Sequence, residues 1–257
     1  MLTKEDYAKY KSWIETFPDK QVKIETLPHG SSWDKMFKQL FADAKLEKIN
    51  AKLSEDMNKS DRMYPSPDLL FNAFSLTPLT NLKVVIIGQD PYFTNEDNVP
   101  QAMGLSFSVP VGFKIPSSLQ NIFASIIKYK HSNLEHTHGN LEFWARQGCL
   151  LLNTSLTVLH GEKNKNCHQA TWKWFTDKII KYISDNTENV VFVLWGGNAL
   201  EKLSLIDIDK HDAVISSHPS GLSANTPLKS HPAFSSFDQF GKINRILEKW
   251  DKSQMIW

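Results

Sequence analysis

Apolar residues in this chain form two kinds of run. Four stretches are continuously apolar and stop abruptly: Val84-Val85-Ile86-Ile87 into Gly88, Cys149-Leu150-Leu151-Leu152 into Asn153, Val190 through Trp195 into Gly196-Gly197, and Ala213-Val214-Ile215 into Ser216-Ser217. Short unbroken runs of this kind predict strands buried on both faces, as in parallel sheets. Between them apolar positions recur at helical spacing. Leu119, Ile122, Phe123, Ile126 and Ile127 follow Pro116-Ser117-Ser118, and Trp172, Phe175, Ile179, Ile180 and Ile183 mark residues 171–184. Shorter helices are expected over 67–74, 141–147 (with Gly148 as the residue past its end) and 198–203, and a last one over 236–250. Strands alternating with helices predict an α/β fold, a short four-stranded parallel sheet flanked by helices.

The first 60 or so residues read differently. They are rich in Lys and Glu, with Tyr7, Tyr10, Trp13, Ile14 and then Trp33, Met36, Phe37, Leu40, Phe41 at helical spacing, and Ser32 stands where an N-cap is expected. They predict a helical N-terminal extension (1–60) packed on a single domain spanning 1–257. Residues 94–100, 128–140 and 160–169 are polar and predict loops, the last carrying Lys163 and Lys165.

Charge and composition narrow the function. The formal net charge is +1, from 29 basic and 28 acidic residues, so nucleic-acid binding must rest on local patches. Arg62, Arg146 and Arg245 are the only arginines, too few for a sequence-specific major-groove reader. Cys149 lies inside an apolar strand, which reads as a buried thiol in a reducing compartment rather than as half of a disulfide with Cys167. The charged start, Met1-Leu2-Thr3-Lys4-Glu5-Asp6, reads as no signal peptide, and no apolar run is long enough for a membrane span. His131, His136 and His138, with Glu135, sit in a polar loop without ligand spacing, so neither a metal nor another cofactor is expected. Gly196-Gly197 lacks the Lys-Ser/Thr pair of a phosphate loop.

The chemistry lies where the strands stop. Gly88 leads into Gln89-Asp90-Pro91-Tyr92, and Pro91 keeps Asp90 extended. The other runs end on Asn153, on Gly196-Gly197 and on His218-Pro219. All four ends would meet at the carboxyl edge of the sheet, where open α/β sheets bind ligands. Singly, Asp90 reads as a turn carboxylate, Asn153 as a strand-end residue, His218 as a loop histidine, and Tyr92 and Phe107 as core aromatics. Together they supply edge hydrogen bonds and a stacking face for a planar heterocycle.

From about Tyr64 onward the chain resembles the family 1 uracil-DNA glycosylases. The resemblance rests on Gly88-Gln89-Asp90-Pro91-Tyr92, Gly104-Leu105-Ser106-Phe107-Ser108-Val109, Trp144-Ala145-Arg146-Gln147-Gly148, Leu151-Leu152-Asn153, Trp174-Phe175-Thr176-Asp177, Leu194-Trp195-Gly196 and His218-Pro219-Ser220-Gly221-Leu222-Ser223, in that order. It implies excision of uracil from a flipped nucleotide in single- or double-stranded DNA. Asp90 would orient water and stabilise the sugar cation, and His218 would donate to uracil O2. Asn153 would bond the O4/N3 edge, Tyr92 would exclude a 5-methyl group, Phe107 would stack, and backbone at Gln89 would meet O2. Pro116, Ser117, Ser118, Gly196, Gly197, Ser220 and Ser223 would hold phosphates, and Leu222 would wedge into the minor groove. The resemblance further implies a proteinaceous uracil-glycosylase inhibitor as a partner. A monomer in the nucleus or cytoplasm is expected, and the abundant Lys, Asn and Ile would suit an AT-rich genome, including that of a large DNA virus. The chain departs from the family at Phe93, where a His is usual, at Met103, Gly197, Gly221 and Thr226, and in an insertion over 94–100. The insertion is expected to reshape the pocket rim, and its Glu96 and Asp97 to repel phosphate unless turned away. Two other readings stay open: a DNA-binding accessory or processivity subunit without strong catalysis, and a glycosylase of altered base range.

Overall fold

The computed structural model describes residues 1–60, 62–132 and 136–257. Four strands, β1 (Val84–Gly88), β2 (Cys149–Asn153), β3 (Val191–Trp195) and β4 (Asp212–Ser216), form one sheet in the order β2-β1-β3-β4. Every pairing is parallel. β1, β2 and β3 are buried along their whole length, which is why their sequences are unbroken apolar runs, and edge strand β4 is partly exposed. The register sets Val84 beside Cys149 and Gly88 beside Asn153, so β1 and β2 end level with one another.

The main helices are α1 (Asp34–Phe41), α2 (Leu46–Lys59), α3 (Ser117–Lys128), α4 (Gln169–Asn186) and α5 (Gln239–Lys249). α1 and α2 pack on α4, and α5 packs on β3 and β4. The N-terminal residues share the main core. Trp13, Trp33 and Phe37 belong to the same apolar cluster as the sheet and Trp257. Trp33 Nε1 donates to the Thr77 carbonyl at 2.9 Å, and Trp13 Nε1 to the Pro65 carbonyl at 2.7 Å. Among the described residues no helix is long and apolar enough to cross a membrane.

Strand positions agree with the sequence pattern to within one residue at each end, whereas several helix ends do not. Ser32 does not cap α1. It lies in a 3-10 turn, and its hydroxyl accepts the Leu79 N–H at 3.0 Å. The 67–74 segment divides into a 3-10 turn at Pro67–Leu69 and a helix at Asn72–Leu76. α5 begins at Gln239 because Asp238 caps it, accepting the Gly241 N–H at 2.9 Å. The 94–100 segment is not a plain loop. Asn95–Glu96 pairs antiparallel with Val99–Pro100 across Asp97 and Asn98, whose φ values are 51° and 63°. Positive φ at both central residues is the geometry of a tight hairpin, and Asp and Asn tolerate it.

Replacing Trp33 by Ala removes a fully buried indole and leaves the Thr77 carbonyl without that donor. A loss of about 3–5 kcal/mol is expected from urea unfolding.

Candidate active site

The site starts from the level ends of β1 and β2. The Gly88 carbonyl accepts the Thr154 N–H at 3.0 Å, and the Gln89 carbonyl accepts the Ser155 N–H and the Thr154 hydroxyl, each at 2.9 Å. These bonds hold the two chains together beyond the ladder. A Cβ on residue 88 would lie 2.3 Å from Asn153 Oδ1 and 2.6 Å from Ser106 Cβ, so glycine is what lets the Asn153 side chain sit there. Asn153 is 8% exposed, and its carboxamide makes no hydrogen bond with the described residues. It lines a cavity of about 580 Å³. The amide lines the cavity, where a ligand that excludes water must pair with it.

The aromatic wall is held as firmly. The Tyr92 hydroxyl donates to the Phe107 carbonyl at 2.9 Å, and Phe107 sits at φ 64°. A left-handed aromatic residue costs free energy and persists because its surroundings fix it. The Phe107 ring lies 5.5 Å from Trp195 and 5.8 Å from His218, centroid to centroid. Gly196, at φ 90°, brings the end of β3 against His218, where a Cβ would stand 3.0 Å from His218 Cβ.

The two titratable groups are tuned in opposite senses. Burial pushes the Asp90 carboxyl above the ordinary carboxylate value, and the Asn166 N–H, at 3.1 Å, and the positive charge of Lys165 oppose it. With its amide oriented to satisfy its neighbours, the Asn166 side chain donates to both Asp90 oxygens (3.1 and 3.2 Å) and accepts from Gln89 Nε2. Burial, helped by Lys165, pushes His218 down to about 4. His218 Nδ1 accepts the Ser220 N–H at 3.0 Å, so the neutral ring carries its proton on Nε2. His218 is therefore a neutral donor at ordinary pH.

Gln89, Asp90, Tyr92, Phe107, Asn153 and His218 all line the one cavity. So do Ser117, Ser118, Gly196, Gly197, Ser220 and Ser223. Pro116 does not. It precedes the first turn of α3 as its N-cap residue. Leu222 does not line the cavity either, but stands 96% exposed between Ser220 and Ser223. The sequence reading missed Lys165 and Asn166, which approach Asp90 from the 160–169 loop, and Trp195, whose buried Nε1 has no partner among the described residues. The lysines of that loop were its only visible signal.

The insertion turns away from the rim. No residue of 94–100 lines the cavity, and Lys4 Nζ holds Asp97 at 2.6 Å and Glu96 at 3.6 Å. Phe93 does line the cavity and packs on the small cluster of Tyr64, Ala102 and Val158. The loop histidines take separate partners. His131 contacts Asp238 at 2.6 Å, His136 stacks on Phe123, and His138 Nδ1 accepts the Asn140 N–H. Glu135 lies outside the described residues.

A parallel α/β sheet that gathers an unpaired amide, a carboxylate, a neutral imidazole and an aromatic wall at one edge defines an enzyme built around a single planar base. Residues 74–247 match the model of the Uracil DNA glycosylase superfamily, and the chain belongs to that superfamily. It is 37% identical over 260 residues to the probable uracil-DNA glycosylase of Acanthamoeba polyphaga mimivirus, covering 96% of this chain and 70% of the relative. It is 42% identical over 224 residues to the uracil-DNA glycosylase of Aliarcobacter butzleri, covering 86% of this chain and 99% of the relative. The crystal structure of mimivirus UNG Y322L in complex with UGI superposes with a TM-score of 0.93 at 36% identity, covering 100% of this chain and 98% of that one.

A Gly88→Ala chain must move Asn153 or part β1 from β2. Base-release activity is expected to fall at least about 100-fold, measured beside a thermal melt that separates misplacement from unfolding.

Proposed function

We propose that this chain is a family 1 uracil-DNA glycosylase that hydrolyses the N-glycosidic bond of deoxyuridine and leaves an abasic site. The observation that carries the reading is the cavity in which the unpaired Asn153 amide, the neutral His218 and the Asp90 carboxylate surround a space bounded by Phe107. A nucleotide must leave the helix to reach it.

In this reading the flipped uracil stacks on Phe107 with its O4/N3 edge on Asn153. Cytosine presents the opposite donor and acceptor pattern there and would leave the buried amide mispaired. Tyr92, fixed through its bond to the Phe107 carbonyl, stands against C5 and rejects the thymine methyl. As the glycosidic bond lengthens, negative charge grows on the base and positive charge on the sugar. The His218 Nε2–H meets the first at O2, with backbone at Gln89 beside it, and Asp90 meets the second and orients water. A preorganised donor of this kind is worth about 3 kcal/mol. Glycosidases acting on sugars usually need two carboxylates. One suffices here because the leaving base is an imide that departs as an anion. Ser117, Ser118, Gly196, Gly197, Ser220 and Ser223 grip phosphates on the cavity rim, with Pro116 ordering the first of these turns. Leu222 fills the gap left by the flipped base.

DNA is the macromolecular partner. The UGI complex of the mimivirus relative supports a proteinaceous inhibitor as a second one. The enzyme would act on nuclear DNA or in the cytoplasm, and the mimivirus relative keeps a viral setting in view. A non-catalytic accessory subunit is not favoured, because DNA binding alone requires neither a tuned Asp90 nor an unpaired Asn153.

Asp90→Asn is expected to cut turnover by orders of magnitude with the fold retained. In the unsubstituted enzyme, activity falls as pH drops through the Asp90 pKa. That acid limb should lie above the ordinary carboxylate value, and both results come from uracil release by oligonucleotides across pH. Tyr92→Ala should begin to release thymine, and full rejection of thymine would remove Tyr92 as the steric filter.

A further inference from the structure

Behind the cavity, His168 is completely buried two residues after Asn166. Its Nε2 lies 2.9 Å from Asp56 Oδ2 and its Nδ1 2.7 Å from Thr157 Oγ1. Trp172 Nε1 donates to the same hydroxyl at 2.7 Å. One proton arrangement satisfies every group. The indole N–H donates to the Thr157 oxygen, the Thr157 hydroxyl donates to His168 Nδ1, and His168 Nε2–H donates to Asp56. Lys52 Nζ, at 2.8 Å, covers the other Asp56 oxygen. Burial outweighs the neighbouring carboxylate and holds the His168 pKa below its ordinary value, consistent with a neutral ring.

This chain joins α2, the segment after β2, the 160–168 loop and α4. A fully satisfied buried polar network fixes geometry more than it adds stability. The loop's start is tied by backbone bonds, His160 N–H to the Arg62 carbonyl and Gly161 N–H to the Phe93 carbonyl, each at 2.9 Å. Its end is tied through His168. Between the ties, at φ 62°, Asn166 points its N–H at Asp90 Oδ2 from 3.1 Å.

We propose that Asp56 and His168 are positioning residues which, through Thr157, pin the 160–168 loop so that the Asn166 amide stays on the Asp90 carboxylate. The proposal rests on Asp90 being the catalytic carboxylate. It gives helix α2 of the N-terminal region a part in catalysis. The groups facing Asp90 are the Asn166 N–H and Lys165 from the loop, neutral His218 across the cavity, and the Cys167 thiol, whose pKa partial burial and the nearby carboxylates raise. Facing His168 are Asp56 and Lys52 of α2 and the Thr157 hydroxyl. The Asn166 N–H and Lys165 both favour ionised Asp90. Releasing the loop leaves burial less opposed, so the Asp90 pKa rises and the acid limb moves to higher pH.

The test compares Asp56→Ala, Asp56→Asn, Thr157→Val and Thr157→Ser with the unsubstituted enzyme by single-turnover pH profiles on a uracil-containing oligonucleotide, with KM and thermal melts. Asp56→Ala and the nearly isosteric Thr157→Val should lower kcat about 10- to 100-fold at nearly unchanged KM. Their acid limb should move up by about half a pH unit or more. Asp56→Asn keeps an acceptor for His168 Nε2–H, the half-exposed Lys52 can swing away, and Thr157→Ser keeps the hydroxyl, so both should restore rate and limb. If Asp56→Ala does not fold, Thr157→Val decides. Active variants with an unmoved limb would overturn the proposal however far their melting temperatures fall. An unsubstituted enzyme without an acid limb, or an active Asp90→Asn, would instead remove Asp90 from catalysis and the proposal with it.

Discussion

The close approach of Gly88 to Asn153 is the contact on which the rest of the site depends. Parallel pairing in register brings the two residues level, and a Cβ on residue 88 would stand only 2.3 Å from Asn153 Oδ1, so any larger residue there must displace that amide. The Gly88 and Gln89 carbonyls then take donors from Thr154 and Ser155, so the strands stay joined just past their ends. Asp90 inherits its position from that clamp, and Asn153 its orientation. Phe107 is tied to the same place through Tyr92, at a backbone angle that free aromatic residues avoid.

Burial acts on the two titratable groups in opposite directions, and both outcomes suit the chemistry. It alone would carry Asp90 toward the neutral acid, which could not take the role proposed for it beside a sugar cation. It makes His218 neutral, which suits the donor role proposed for it. The Asn166 N–H and the charge of Lys165 oppose burial at Asp90, and the same charge adds to burial in holding His218 neutral. One loop therefore acts on two groups that burial would otherwise neutralise together.

The departures from the family pattern separate into those that touch the site and those that do not. Phe93 enters the cavity wall, where it offers an apolar ring and no hydrogen bond, and leaves the support of Asp90 to Asn166, itself held by Gln89 Nε2. The 94–100 insertion folds into a hairpin with its acids on Lys4, away from the rim. Its polar composition concealed the pairing, because so short a ladder buries little. Ser32 misled for a related reason: a hydroxyl before a helical pattern is a cap only if no other donor reaches it first, and Leu79 does.

The sequence by itself determined the four strands, their parallel arrangement and the edge where chemistry gathers. Buried strands must be apolar throughout, and their interruptions by Gly, Asn and His are local and visible. It also determined, through ordered motifs, the acid, amide, imidazole and aromatic wall. Only the tertiary structure decided what surrounds them. Lys165 and Asn166 reach Asp90 across 75 and 76 positions of chain, and Asp56 reaches His168 across 112, separations at which neither periodicity nor composition carries a signal. Hydrogen bonds and charge act through space, so the state of each group was fixed by packing that no single stretch of sequence contains.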